Sequence, residues 1–172
     1  MARSLYALFS RHRGKERVPT AKQRRNTRKA SPQATPPAAT VWPNLGGIHV
    51  FLIEDNEDTR ALLDETLQHC GAVVSVYSSA DAVMADLPEF LPTVFISDLS
   101  MPGLDGLQFM RRMRQVSPER GGQVPAIAIT AYYEDYAAAE ALEAGFNAYM
   151  IKPIRLEELT RLVKDLATKT PP

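Results

Sequence analysis

The sequence predicts an α/β fold in which a doubly wound, five-stranded parallel sheet carries helices on both faces. From residue 48 onward, short apolar or β-branched runs alternate with amphipathic stretches of about ten to fifteen residues, which is typical of repeated βα units. These short runs are mostly apolar on both faces, as buried parallel strands are. Polar side chains directly follow several of the runs, at the edge of the predicted sheet where ligands bind.

Five runs are predicted to be the strands. They cover residues 48–53, 73–77, 93–97, 126–130 and 148–151. Right-handed crossovers between parallel strands place the connecting helices on both faces of one sheet. The residues at the carboxyl ends of these strands should therefore meet in one crevice.

Apolar residues recur at helical spacing between the strands and after the last one. The clearest sets are Leu63, Leu67 and Cys70; Leu107 and Met110; and Leu156, Leu159, Val163 and Leu166. Ser78, followed by Asp81, predicts the start of the second helix. Gly71 and Gly145 lie where helix ends favour a residue in the left-handed conformation. Five helices are expected in all.

The chain has 172 residues, enough for one domain of ordinary size and an additional segment. No apolar run approaches the roughly 20 residues needed to cross a bilayer, so we expect a soluble protein. Cys70 is the only cysteine, which excludes an intrachain disulfide and fits a small buried side chain in a reducing, cytoplasmic compartment.

The net charge of zero conceals two different segments. Residues 1–46 carry ten Lys and Arg against a single acid, Glu16, whereas residues 47–172 carry ten against nineteen. We predict a disordered basic tail over 1–46, a folded domain over 47–168 and a short tail over 169–172. Charge alone leaves several roles open for the basic tail: a solvated segment, a contact with nucleic acid or an anionic membrane, or a targeting peptide.

Five polar residues mark the carboxyl ends of four predicted strands. Glu54 and Asp55 follow the first strand and Asp98 the third, whereas Thr130 ends the fourth and Lys152 follows the fifth. Three carboxylates in one crevice repel one another unless a cation lies among them, and their oxygen atoms suit Mg²⁺. Asp98 could then attack a phosphorus atom while Thr130 and Lys152 hold the phosphoryl oxygens.

Four motifs carry a resemblance to a known family: FLIEDN at 51–56, ISDLSMPGLDG at 96–106, IAITA at 127–131 and AGFNAYMIKP at 144–153. Residues 48–167 resemble the receiver domain of two-component response regulators. The resemblance implies a strand order of 2-1-3-4-5 and a cis Lys152-Pro153 bond. It also implies that the domain is not an enzyme acting on other substrates but promotes its own phosphorylation and dephosphorylation.

The resemblance also implies roles for individual residues. Asp98 would be phosphorylated by a histidine kinase or a histidine phosphotransfer protein. Asp55, Asp98 and the backbone carbonyl of Ser100 would bind Mg²⁺, and Glu54 would reach the ion through water. Thr130 and Tyr149 would form the switch that remodels a protein-binding face for a downstream protein partner.

Alternatives to this function remain open. A pseudo-receiver would be a binding module that is never phosphorylated. An Mg²⁺-dependent phosphatase would need a second acid two residues after Asp98, where Ser100 stands. Because only residues 167–172 follow Leu166, we expect a single-domain regulator or phosphorelay intermediate with no C-terminal DNA-binding domain. The segment 117–122 is similar to one found in receivers of hybrid sensor kinases.

Overall fold

The computed structural model describes residues 41–87, 91–132, 134 and 137–169. Within them, five strands form a single parallel sheet. The strands are β1 (His49–Ile53), β2 (Val73–Tyr77), β3 (Val94–Asp98), β4 (Ala126–Thr130) and β5 (Ala148–Ile151). They lie in the order β2-β1-β3-β4-β5, which confirms the predicted topology.

The helices also follow the predicted alternation. They are α1 (Glu57–His69), α2 (Ala80–Asp86), α3 (Gly106–Met113), α4 (Ala138–Ala144) and α5 (Leu156–Lys169), with a short 3-10 turn at Pro118–Arg120. The prediction that Ser78 starts α2 is wrong by one residue, because the Ser79 hydroxyl accepts the capping hydrogen bond from the Ala82 amide. Gly145 ends α4 in the left-handed conformation, as predicted.

Two apolar layers enclose the sheet, because alternate strand residues point to opposite faces. On one face, Phe51 and Phe95 belong to a core that includes residues of α2, α3 and α4. The Phe95 ring meets the Phe109 ring edge to face, with 5.6 Å between centroids. On the other face, Leu52 and Ile96 belong to a core that includes residues of α1 and α5. Packing on both sides fixes the strands that end at the crevice.

The strand β2 departs from the prediction that the strands are buried on both faces. Val73 is 61% exposed and Val76 is 45% exposed, whereas every residue of β3 and β4 is buried. The prediction is wrong for β2, which lies at one edge of the sheet and pairs only with β1. It is also wrong for β5 at the other edge, where Ile151 is 48% exposed. A run of apolar residues does not reveal which strand occupies an edge.

Residues ahead of β1 also contribute to the hydrophobic core. Leu45 is fully buried among residues of the α1 and α5 layer, and its amide donates to the Cys70 carbonyl at 2.7 Å. Cys70 is itself buried, as expected. The packed structure thus includes residues ahead of the boundary predicted at residue 47. Residues 1–40 and 170–172 lie outside the described residues, and with them most of the basic tail.

Candidate functional site

Three carboxylates meet where β1 and β3 end. Glu54 and Asp55 follow β1, and Asp98 is the last residue of β3. One oxygen from each carboxylate can be chosen so that all three lie within 4.8 Å of one another. Glu54 is fully buried and Asp98 is 5% exposed, whereas Asp55 is open to solvent. The parallel register of β1 and β3 brings these two loops to the same edge of the sheet.

The Lys152 ammonium bridges two of these carboxylates. Its Nζ lies 2.6 Å from Asp98 Oδ2, 2.8 Å from Glu54 Oε2 and 3.0 Å from Glu54 Oε1. Lys152 follows β5, and its amide donates to the Thr130 carbonyl at 2.8 Å. The Lys152-Pro153 peptide bond is cis, as the resemblance implied.

The electrostatics of the cluster favour a further positive charge. Burial raises the pKa of Glu54 from 4.5 to about 7, against the opposing effect of the Lys152 ammonium, and the Asp98 charge adds to the rise. Burial lowers the pKa of Lys152, but its bonds to Asp98 and Glu54 outweigh burial, and its pKa lies above the ordinary value. Lys152 is therefore protonated at neutral pH. If all three carboxylates were ionised, one ammonium would leave an excess of negative charge, which a bound cation would balance.

Local contacts fix the position of Asp98. Its Oδ1 accepts a hydrogen bond from the Ser100 amide at 3.0 Å, and its Oδ2 faces Lys152. The next helix packs closely against its backbone, because a Cβ atom at Gly106 would collide with the Asp98 carbonyl oxygen. Glycine at position 106 therefore lets α3 begin directly beside the phosphoacceptor candidate.

The loop after β1 is tied to the start of α1. Asn56 caps the helix, because its Oδ1 accepts from the Thr59 amide at 2.9 Å. The Asn56 amide in turn donates to Glu54 Oε1 at 3.3 Å. Arg60 Nη1 donates to the carbonyls of Glu54 at 2.8 Å and Asp55 at 3.2 Å. Two consecutive peptide groups of the acidic loop are thus held by one guanidinium.

These side chains line an open cleft of about 610 Å³. Ser100 lies in its wall, together with residues of the loops that follow β1, β3 and β4. The lining residues are Glu54, Asp55, Asn56, Thr59, Asp98, Ser100, Met101, Pro102, Ala131, Tyr132 and Lys152. The cleft is open to solvent, and the Asp98 carboxylate forms part of its wall.

Thr130 and Tyr149 share one face of the sheet. Thr130 is fully buried at the end of β4, and its hydroxyl oxygen accepts from the Tyr132 amide at 3.0 Å. Tyr149 is opposite Ala128 in the register of β4 and β5, so it lies on the same face as Thr130 and diagonal to it. Tyr149 is half-buried, and burial raises its pKa.

The structure brings together four of the residues singled out from the sequence, Glu54, Asp55, Asp98 and Lys152, and places Ser100 in the same cleft. The roles assigned to these residues stay predictions: phosphorylation for Asp98, Thr130 and Lys152, metal binding for Glu54, Asp55, Asp98 and the Ser100 carbonyl, and the switch for Thr130 and Tyr149. Sequence reasoning missed Arg60. Its position one turn into a helix that follows the acidic loop was a usable signal, but a long side chain has many possible partners.

Among the described residues, no helix combines the length and the apolar character that a membrane span requires.

Comparisons with known proteins agree with this geometry. Residues 50–164 match the response regulator receiver domain. A 14.6 kDa protein of Leptolyngbya boryana is 37% identical over 128 residues, covering 74% of this chain and 96% of that protein. The transcriptional regulatory protein DctD of Rhizobium meliloti is 32% identical over 112 residues, which cover 65% of this chain. The chain spans only 24% of DctD.

A similar solved structure is the receiver domain of a sensor histidine kinase from Pseudomonas aeruginosa, described with a magnesium ion coordinated in its active-site cleft. It is 27% identical, has a TM-score of 0.65, and covers 72% of this chain and 99% of that chain. Three observations point to the same family: the strand order, the cluster of carboxylates beside a lysine, and the match over most of the folded part. The chain belongs to the response regulator receiver domain family of two-component signalling.

Proposed function

We propose that this receiver accepts a phosphoryl group on Asp98 from a phosphohistidine donor, carried by a histidine kinase or a histidine phosphotransfer protein. One observation carries the proposal: Asp98 lies in an open cleft, among carboxylates and within 2.6 Å of the Lys152 ammonium. A carboxylate in these surroundings has a path to an incoming phosphorus atom. It also has a cation beside it to offset the charge that the phosphoryl group brings.

The chemistry of the donor set fits Mg²⁺. Glu54, Asp55 and Asp98 offer only oxygen atoms, which are the ligands that this hard cation prefers, and the cleft leaves room for water and phosphate. Asp55, Asp98 and the Ser100 carbonyl would hold the ion directly, with Glu54 acting through water. Bound Mg²⁺ would neutralise charge on the phosphoryl oxygens during transfer. The magnesium described for the Pseudomonas aeruginosa receiver supports this proposal.

The transfer is a substitution at phosphorus. An oxygen of the Asp98 carboxylate forms the new P–O bond as the P–N bond of phosphohistidine breaks. The imidazole leaves with the bonding electron pair and is then protonated. Lys152 already faces Asp98 and would pair with a phosphoryl oxygen, and the Thr130 hydroxyl would donate to another.

The Thr130 hydroxyl would also couple the site to a binding face. When it turns toward the phosphoryl group, space opens on the face of the sheet that it shares with Tyr149. The Tyr149 ring would move into that space and change the surface formed by α4, β5 and α5. A downstream protein that binds this surface would read the phosphorylation state. A cytoplasmic location fits such partners.

Two alternatives predict different chemistry. A pseudo-receiver would have the same fold but would never carry a phosphoryl group. A phosphatase would use Asp98 to hydrolyse phosphoesters, which requires a general acid that Ser100 does not supply. No specific feature of the described residues favours either alternative.

Phosphorylation can be tested with a small donor. We expect the full chain, incubated with Mg²⁺ and acetyl phosphate, to gain one phosphoryl group detectable by intact mass spectrometry. Asp98→Asn should gain none, and Asp165→Asn, which removes an exposed carboxylate on α5, should behave as wild type. An unmodified wild-type protein would support the pseudo-receiver. Continuous hydrolysis of added phosphoesters would support the phosphatase.

A further inference from the structure

Arg60 bonds to main-chain carbonyls, although it lies beside a cluster of carboxylates. Its Nη1 donates to the backbone carbonyls of Glu54 and Asp55, at 2.8 Å and 3.2 Å. Among the described residues, no carboxylate lies within ion-pair distance of Arg60. The guanidinium therefore acts on the path of the loop backbone rather than on the carboxylates themselves.

Asp55 depends on that backbone path. Its side chain is exposed and makes no hydrogen bond with any described residue. Glu54 and Asp98, by contrast, are both buried and both bonded to Lys152. With no side-chain bond to hold it, the Asp55 carboxylate is placed near the cluster by its own backbone, which sets the direction of the Cα–Cβ bond. Arg60 bonds to the carbonyls on both residues of the Glu54-Asp55 pair.

We propose that Arg60 is a positioning residue for the metal site: it holds the loop after β1 so that the Asp55 carboxylate faces Glu54 and Asp98. The inference rests on the proposed function, because it assumes that these carboxylates bind Mg²⁺. Groups that orient metal ligands commonly change metal affinity by 10- to 100-fold when they are removed. Arg60 would do so through main-chain carbonyls, one step further from the ion.

Two possible roles of Arg60 predict opposite changes in Mg²⁺ affinity when the residue is removed. One role is to position the loop, and the other is to repel the ion through its charge. Arg60 is a cation close to a site for another cation, so electrostatic repulsion alone would weaken Mg²⁺ binding. Removing Arg60 would then strengthen binding. If Arg60 positions the loop, its removal instead frees Asp55 and weakens binding. The direction of the change distinguishes the two roles.

The experiment is a calorimetric titration of the full chain with MgCl₂. We expect Arg60→Ala to weaken Mg²⁺ binding by roughly tenfold. Arg60→Lys should recover part of the loss, because an ammonium can still donate to one carbonyl. Arg112→Ala removes an exposed cation from α3 and should leave affinity unchanged. Equal or tighter binding by Arg60→Ala would overturn the inference, whereas a wild-type chain that does not bind Mg²⁺ would overturn the proposed function.

A second readout needs no metal. In EDTA, hydrogen exchange at the Asp55 and Asn56 amides should be faster in Arg60→Ala than in wild type, while exchange in the buried strand β4 stays unchanged. Equal acceleration in β4 would mean general destabilisation and would reject a local positioning role. Unchanged exchange at Asp55 and Asn56 would reject it as well.

Discussion

The Lys152 ammonium lies 2.6 Å from Asp98 Oδ2, although the two residues are 54 positions apart in the chain. The contact depends on two parallel strands ending at the same edge of the sheet. The contact places a cation next to the Asp98 carboxylate, which is the nucleophile in the proposed function. The same ammonium also bonds to the buried Glu54 carboxylate.

Replacing this lysine should slow phosphorylation. Lys152→Ala removes the cation that pairs with Asp98 and with the incoming phosphoryl oxygens, and loss of one such group typically costs 10²- to 10³-fold in rate. The measurement is the initial rate of phosphorylation by acetyl phosphate, followed by intact mass. Lys164→Ala, on α5, is the matched control and should keep the wild-type rate. A wild-type rate for Lys152→Ala would contradict the role assigned to this lysine.

Glu54 should make stability depend on pH when no metal is present. Its pKa is about 7 in the folded protein, against about 4.5 when unfolded. Between these values the unfolded chain loses a proton that the folded protein keeps, so the folded state loses stability as pH rises through this window. Between pH 4.5 and 7, the free energy of unfolding of Glu54→Gln should rise relative to that of wild type by about 3 kcal/mol, because each unit of pKa difference corresponds to about 1.4 kcal/mol.

The measurement for Glu54 is urea unfolding in EDTA at several pH values. Glu143→Gln, which alters an exposed carboxylate on α4, should show the same pH dependence as wild type. If the difference in unfolding free energy between wild type and Glu54→Gln stays constant across this range, Glu54 does not hold a proton in the folded state.

The switch prediction concerns Thr130 and Tyr149. In the wild type, phosphorylation should shift the NMR signals of the Tyr149 ring, because the Thr130 hydroxyl turns toward the phosphoryl group and frees space for the ring. In Thr130→Val, which has a similar volume but no hydroxyl, phosphorylation should proceed with a much smaller shift at Tyr149. Comparison with the spectrum of Tyr149→Phe identifies the NMR signals that belong to the Tyr149 ring. An equal shift in phosphorylated Thr130→Val would exclude the hydroxyl as the coupling group.

The basic tail can be tested for an electrostatic partner. If residues 1–46 bind nucleic acid, the full chain should retard DNA in a gel, and binding should weaken steeply with salt. Deletion of residues 1–40 should abolish the retardation. Vesicles that contain anionic lipids test membrane contact in the same way. Binding that survives the deletion would assign it to the folded domain instead.

Much of the fold and the site could be predicted, because both depend on short-range patterns. The positions of Asp98 and Lys152 at strand ends follow from the apolar runs before them. The exposure of β2 could not be predicted this way, since it depends on which strand lies at the sheet edge. The Ser79 cap differs from the predicted Ser78 by one residue because neighbouring serines present the same signal. The contacts of Arg60 could not be predicted either, because they depend on the direction that its side chain takes in the folded protein.

Leu45 limits how far this protein can be shortened. A version that starts at residue 50, where the family match begins, would lack a side chain that fills the core under α1 and α5. Losing a buried leucine side chain usually costs about 2–5 kcal/mol, out of a total of about 5–15 kcal/mol for an ordinary domain. Expression of the isolated domain should therefore begin before Leu45, or much of its resistance to heat and proteases will be lost.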